Sequence, residues 1–64
     1  MTKEQFHQAA IGDHVEISTR GKQRGQTGVI TYVERELYPA IWVRLENGIE
    51  TWRYYAYISG GVSR

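Results

Sequence analysis

Ala40-Ile41-Trp42-Val43-Arg44-Leu45-Glu46-Asn47-Gly48-Ile49-Glu50-Thr51-Trp52-Arg53-Tyr54 reads as two strands and a tight turn. Ile41, Val43 and Leu45 fall on one face of the first strand, because side chains alternate along an extended chain. Asn47-Gly48 supplies the residues that accept a positive φ in a hairpin turn. One choice is left open by this stretch. A two-residue loop pairs Glu46 with Ile49 and turns Trp52 inward. A three-residue loop with a bulge pairs Leu45 with Ile49 and puts Trp52 outside, near Trp42. A one-residue slip exchanges the two faces of the strand. The need to fill a small core favours Trp52 inside.

The same period of two continues toward the N-terminus. Val15 and Ile17 alternate with His14, Glu16 and Ser18, which is a half-buried strand. Val29-Ile30-Thr31-Tyr32-Val33 is β-branched and aromatic, a second strand. Arg20 to Gly28 contains glycines and no bulky apolar residue, so it is a loop. Glu34 to Pro39 is a polar turn, and Pro39 ends any ladder. Thr2 with Gln5 forms a capping box, with Phe6, Ala9 and Ala10 at helical spacing behind it. This predicts a helical turn over residues 3–10, stopped by Gly12, that must dock Phe6 on something. Tyr55-Ala56-Tyr57-Ile58 fits one helical turn and a short last strand. The expected fold is all-β: a five-stranded antiparallel SH3-like barrel over residues 13–58, one end plugged by the N-terminal helix. Residues 60–64 read as a frayed tail, and residues 1–64 as a single domain.

With 64 residues and no cysteine, the chain rests on its hydrophobic core alone. A domain this small leaves little room for a water-excluding active site. It has no phosphate-binding loop of the Gly-Lys-Ser/Thr type and no nucleophile paired with a base. The expectation is a non-enzyme with no cofactor and no small-molecule substrate. His7 and His14 lie outside any metal-ligand spacing. No apolar run spans a membrane and no signal peptide precedes the domain, so the cytoplasm is the expected compartment.

The segment Gly12 to Ile17, followed by Arg20-Gly21-Lys22-Gln23-Arg24-Gly25-Gln26-Thr27-Gly28-Val29-Ile30, resembles the KOW motif. That motif occurs on SH3-like barrels of ribosomal proteins and transcription elongation factors. The resemblance covers residues 12–33 and implies a barrel with a basic loop that meets nucleic acid. The stretch from Trp42 to Gly48, with Trp52, is also similar to stand-alone SH3-like proteins such as the small docking subunit of photosystem I.

The net charge of +1 conceals an uneven distribution. Residues 18–33 carry Arg20, Lys22 and Arg24 and no acid, whereas residues 34–50 carry Glu34, Glu36, Glu46 and Glu50 against Arg35 and Arg44. Lys and Arg on a loop neutralise phosphates. Trp42 and Arg44, opposite the core face, make a stacking platform. Tyr54, Tyr55 and Tyr57 close the barrel mouth or join Arg53 at the surface. The expected nucleic-acid-binding set is Arg20, Lys22, Arg24, Trp42, Arg44, Arg53 and Tyr55. The expected ligand is RNA or another single strand, since no basic helix exists to enter a major groove. The alternative is a protein-docking module that holds a larger partner on the same surface. A monomer is the expected state.

Overall fold

The computed structural model describes residues 1–60 and comprises one five-stranded antiparallel sheet and one short helix. The elements are α1 (Lys3–Gln8), β1 (His14–Ile17), β2 (Thr27–Glu34), β3 (Ala40–Leu45), β4 (Glu50–Tyr54), a 3₁₀ turn (Tyr55–Tyr57) and β5 (Ile58–Gly60). The sheet order is β4-β3-β2-β1-β5, so β4 and β5 are its two edges. They are joined by the 3₁₀ turn, and among the described residues no ladder closes the sheet between them. Gly60, expected in the tail, instead ends β5 opposite Val15. The rest of the expected tail lies outside the described residues.

The core is aliphatic. Ile17, Ile30, Ile41, Val43, Leu45 and Ile58 are fully buried, with Phe6, Ala9 and Val15 packed among them. β1 and β3 place their alternating apolar residues as the pattern requires. β2 does not alternate throughout. Ile30 faces Val43 and Tyr32 faces Trp42, so Thr31 is an extra residue in a β-bulge. The bulge shifts the phase, so that Ile30 and Val33 both pack on the core while Tyr32 points out.

Helix α1 has both arms of its capping box. The Gln5 N–H donates to Thr2 Oγ1 at 3.1 Å, and the Thr2 N–H donates to Gln5 Oε1 at 2.8 Å. The helix ends at Gln8, earlier than expected, with Ala9 extended as its C-cap. A competing acceptor accounts for this: Asp13 Oδ2 takes the Ala10 N–H at 3.0 Å. Phe6 stacks on Tyr55, with centroids 4.9 Å apart. Arg35, from the β2–β3 turn, donates to the carbonyls of Phe6, His7 and Ala9 at 3.2, 3.3 and 2.8 Å and lies over the Phe6 ring. It satisfies carbonyls that a helix end leaves open. Arg35→Met is expected to cost about 1–2 kcal/mol, since hydrogen bonds to a charged group contribute more than neutral ones. Urea denaturation measures the loss, and hydrogen exchange at the Phe6 amide should quicken with it. Wild-type stability in the variant would mean that α1 is held by Phe6 alone.

The β3–β4 hairpin corrects the expected register. The Gly48 N–H donates to the Leu45 carbonyl at 2.9 Å, the Leu45 N–H donates to Ile49 at 2.8 Å, and Arg44 opposes Glu50. The loop is therefore Glu46-Asn47-Gly48, with Gly48 at φ +90°. Trp52 faces Trp42 on the outer surface and is 46% exposed. Asn47 Oδ1 accepts the Ile49 N–H at 3.0 Å, and Glu46 is held by Thr27 through both backbone and side chain. These bonds favour the longer loop, and the aliphatic core leaves no volume that Trp52 must fill.

Candidate functional site

The corrected register builds an aromatic surface. Tyr32, Trp42 and Trp52 are cross-strand neighbours over β2, β3 and β4. The Trp42 and Trp52 rings lie 6.1 Å apart. Tyr38, from the β2–β3 turn, meets Trp52 edge-on at 5.8 Å, and Tyr54 bridges Tyr38 and Tyr57 at 5.7 and 6.1 Å. Aromatic pairs at such spacings and tilts attract through their quadrupoles and hold one another's orientation.

Two shallow hollows flank this row, and they differ in charge. The first is lined by Thr31, Tyr32, Glu34, Trp42 and Glu50. Glu34 accepts the backbone N–H groups of Glu36 and Leu37 at 2.9 and 3.3 Å, which hold its carboxyl below the usual range and keep it ionised. Glu50 accepts the Thr31 hydroxyl at 2.8 Å. The second hollow is lined by Thr19, Tyr38, Trp52, Arg53, Tyr54 and Tyr57 and contains no acid. Thr19 opens the basic loop, so this hollow lies at the root of Arg20, Lys22 and Arg24.

The loop between β1 and β2 is folded back on itself. The Arg24 N–H donates to Gly21, and the Gln26 N–H donates to Gln23. Gly25 donates to Ile17 at 2.8 Å and carries φ +88°. Ser18 donates to the Tyr57 carbonyl at 2.9 Å, which fixes the loop's first residue to the 3₁₀ turn. Arg20, Lys22 and Arg24 are exposed on it.

The chain matches no protein-family model, no curated protein and no solved structure.

Of the residues singled out in the sequence, Arg20, Lys22, Arg24, Trp42 and Arg44 stand exposed where they were expected. Trp42 and Arg44 share the outer face, but the hollow beside Trp42 is the acidic one. The other two expected site residues, Arg53 and Tyr55, have partners within the protein, although Arg53 also lines the hollow beside Trp52. Arg53 shares the core-facing side of β4 with Thr51, because the longer hairpin loop reversed that strand. Its guanidinium is engaged by Thr51, the Trp52 carbonyl and Gln23. Tyr55 is half-buried, stacked on Phe6 and against Tyr54 at 4.8 Å, so its ring closes the core. Tyr38 was missed as a surface residue, Trp52 was expected inside, and Tyr57 takes the surface place that was one of its two expected positions. The Asn47-Gly48 signal was compatible with exposing Trp52, but only the choice of loop length decided it. Among the described residues, no group of three or more His, Cys, Asp or Glu could hold a metal ion. No helix there is long and apolar enough to cross a membrane.

Proposed function

We propose that this protein binds single-stranded nucleic acid, RNA first among the candidates, in the hollow between Trp52 and the basic loop. One observation carries the reading: an exposed Trp52, ringed by Tyr38, Tyr54 and Tyr57, shares an acid-free hollow with the root of the loop bearing Arg20, Lys22 and Arg24. Stacking on the rings holds bases without regard to sequence, while the cations neutralise phosphates. A duplex keeps its base faces stacked and offers the rings nothing. The six-residue α1 is too short to read a groove. The likeness of residues 12–33 to the KOW motif supports the same reading. So does the order of strands, loop and 3₁₀ turn, which suits an SH3-like barrel. The backbone of the strand keeps to the loop side, since Glu34 and Glu50 repel phosphate beside Trp42.

Tryptophan fluorescence titration with oligouridylate at low salt tests this. Trp52→Ala is expected to weaken binding by about tenfold or more, the worth of one stacked base at roughly 1–3 kcal/mol. Trp42→Ala should weaken it less than about threefold, by the same scale. Absence of binding by the wild type at low salt would sink the reading. A larger effect at Trp42 would move the site to the acidic hollow.

A protein-docking role is favoured by one separate observation. Leu37, 91% exposed, projects beside Tyr38 at the end of the aromatic row. Such a partner would bind through apolar contact and tolerate salt, whereas nucleic acid would be released by it.

A further inference from the structure

We propose that Arg53 is a positioning residue of the nucleic-acid site: from the wall of the Trp52 hollow it clamps Gln23 and so holds the loop segment that carries Lys22 and Arg24, its guanidinium donors being spent on protein acceptors rather than on a phosphate. The proposal rests on the nucleic-acid reading above. Its ground is the direction in which the guanidinium is used. Nη1 donates to Thr51 Oγ1 at 2.5 Å and to the Trp52 carbonyl at 2.7 Å, both on β4. Nη2 donates to Gln23 Oε1 at 2.6 Å, thirty residues away in the loop. A planar, always-charged fork is suited to joining two elements in this way.

The hairpin register explains why the fork is available. The Leu45 N–H donates to the Ile49 carbonyl, so this opposed pair sits at a hydrogen-bonded position of the ladder. Bonded and non-bonded pairs alternate along an antiparallel ladder, so the backbone groups of Trp52 point to the open edge of β4. Arg53, on the core-facing side of an edge strand, bends round to take that carbonyl. An inward charge covering a strand edge also discourages pairing with another chain.

The turn bonds inside the loop, Arg24 to Gly21 and Gln26 to Gln23, shape it locally, whereas its other ties to the rest of the fold lie toward its ends: Ser18 to Tyr57, Gly25 and Gln26 to Ile17, and Asn47 to Gln26. Gln23 sits between Lys22 and Arg24. Fixing it fixes the backbone of both cations, so less ordering is left to be done when a strand binds. Trp52 supplies both a stacking ring and, through its carbonyl, one anchor of the clamp. The stacking and phosphate-binding parts of the site are thereby set at one mutual distance before any ligand arrives.

The test uses Arg53→Met, Gln23→Ala and the double variant, with two measurements. The first is amide ¹⁵N relaxation of Gly21, Lys22 and Arg24 in the free protein. The second is oligouridylate affinity across a salt series. Each single variant is expected to loosen those amides and weaken binding by about three- to tenfold, the cost of ordering a few side chains on binding. The double variant should be no worse than the worse single, and the salt slope should match the wild type. A slope reduced by about 0.7 in Arg53→Met alone would mean that Arg53 meets a phosphate directly, which overturns the proposal. Unchanged relaxation in both variants overturns the clamp, whatever the binding result. Failure of the wild type to bind oligouridylate, with the amides still loosened, overturns the nucleic-acid reading and the positioning role while leaving the clamp a structural one.

Discussion

Gly28→Ala is expected to lower the stability of this protein by about 3 kcal/mol, near the upper end for overpacking a core. A Cβ at position 28 would lie 2.3 Å from the Arg44 carbonyl oxygen and 2.8 Å from Val43 Cγ1. The nearest atom belongs to the backbone of the adjoining strand, which cannot step aside as a side-chain tip would. Gly28 also sits opposite Val15, so β2 is held from both sides at this point. Replacing a glycine ordinarily gains about 0.4–1 kcal/mol by restricting the unfolded chain. The clash outweighs that gain. A 64-residue domain has roughly 3–10 kcal/mol in total, at about 0.05–0.15 kcal/mol per residue, so the variant should lose about a third or more of its stability. Urea denaturation followed by circular dichroism gives the number. Gly48→Ala provides a contrast: its added Cβ meets nothing within 4 Å, and its cost of about 1–2 kcal/mol would come from φ +90° alone. Should Gly28→Ala prove as stable as the wild type, the close approach of β2 to β3 is wrong.

Reversing Arg20, Lys22 and Arg24 together to Glu is expected to reduce affinity for oligouridylate by about 100-fold or more at low salt. Removing three cations that neutralise phosphates of a single strand should flatten the dependence of log affinity on log salt by about 2, taking 0.7 per phosphate. The added negative charge then repels the strand as well. Stability should hardly change, because all three side chains are exposed and surface substitutions usually stay within about 0.5 kcal/mol each. That separation of binding from folding is the value of the experiment. Equal affinity and an equal slope in the triple variant would mean that the basic loop faces no phosphate. A salt-insensitive protein partner would then become the better reading, with Leu37 and Tyr38 as its first contacts.

The parts of the fold that were legible share a physical property: their signals are local and redundant. Thr2 with Gln5 marked the start of the helix, and both capping bonds formed. Ile41, Val43 and Leu45 marked β3 and its buried face with the right boundaries. What the sequence concealed depends on single-residue offsets between distant segments. Asn47-Gly48 suits loops of two or three residues, and the deciding bonds come partly from Thr27 on another strand. That offset turned Trp52 outward and Arg53 inward, which changed the candidate site more than any other feature. The bulge at Thr31 is equally silent in composition. Gly28 was legible only as one more glycine of the loop, but its reason differs from a turn: another backbone needs the space.

Both tryptophans stand outside the core, on adjoining strands and with rings 6.1 Å apart. The optical consequence is a division of labour between two spectroscopies. The emission of this protein reports on its outer face, already partly wet in the native state, so it should shift little when the aliphatic core melts. The same emission should respond sharply when a base or another ring covers Trp52. Two like chromophores this close also couple excitonically, and the resulting ultraviolet dichroism is a signature of the β3–β4 register itself. Pairing Trp42 with Trp52 thus gives the molecule an intrinsic gauge of its surface that is largely blind to its interior.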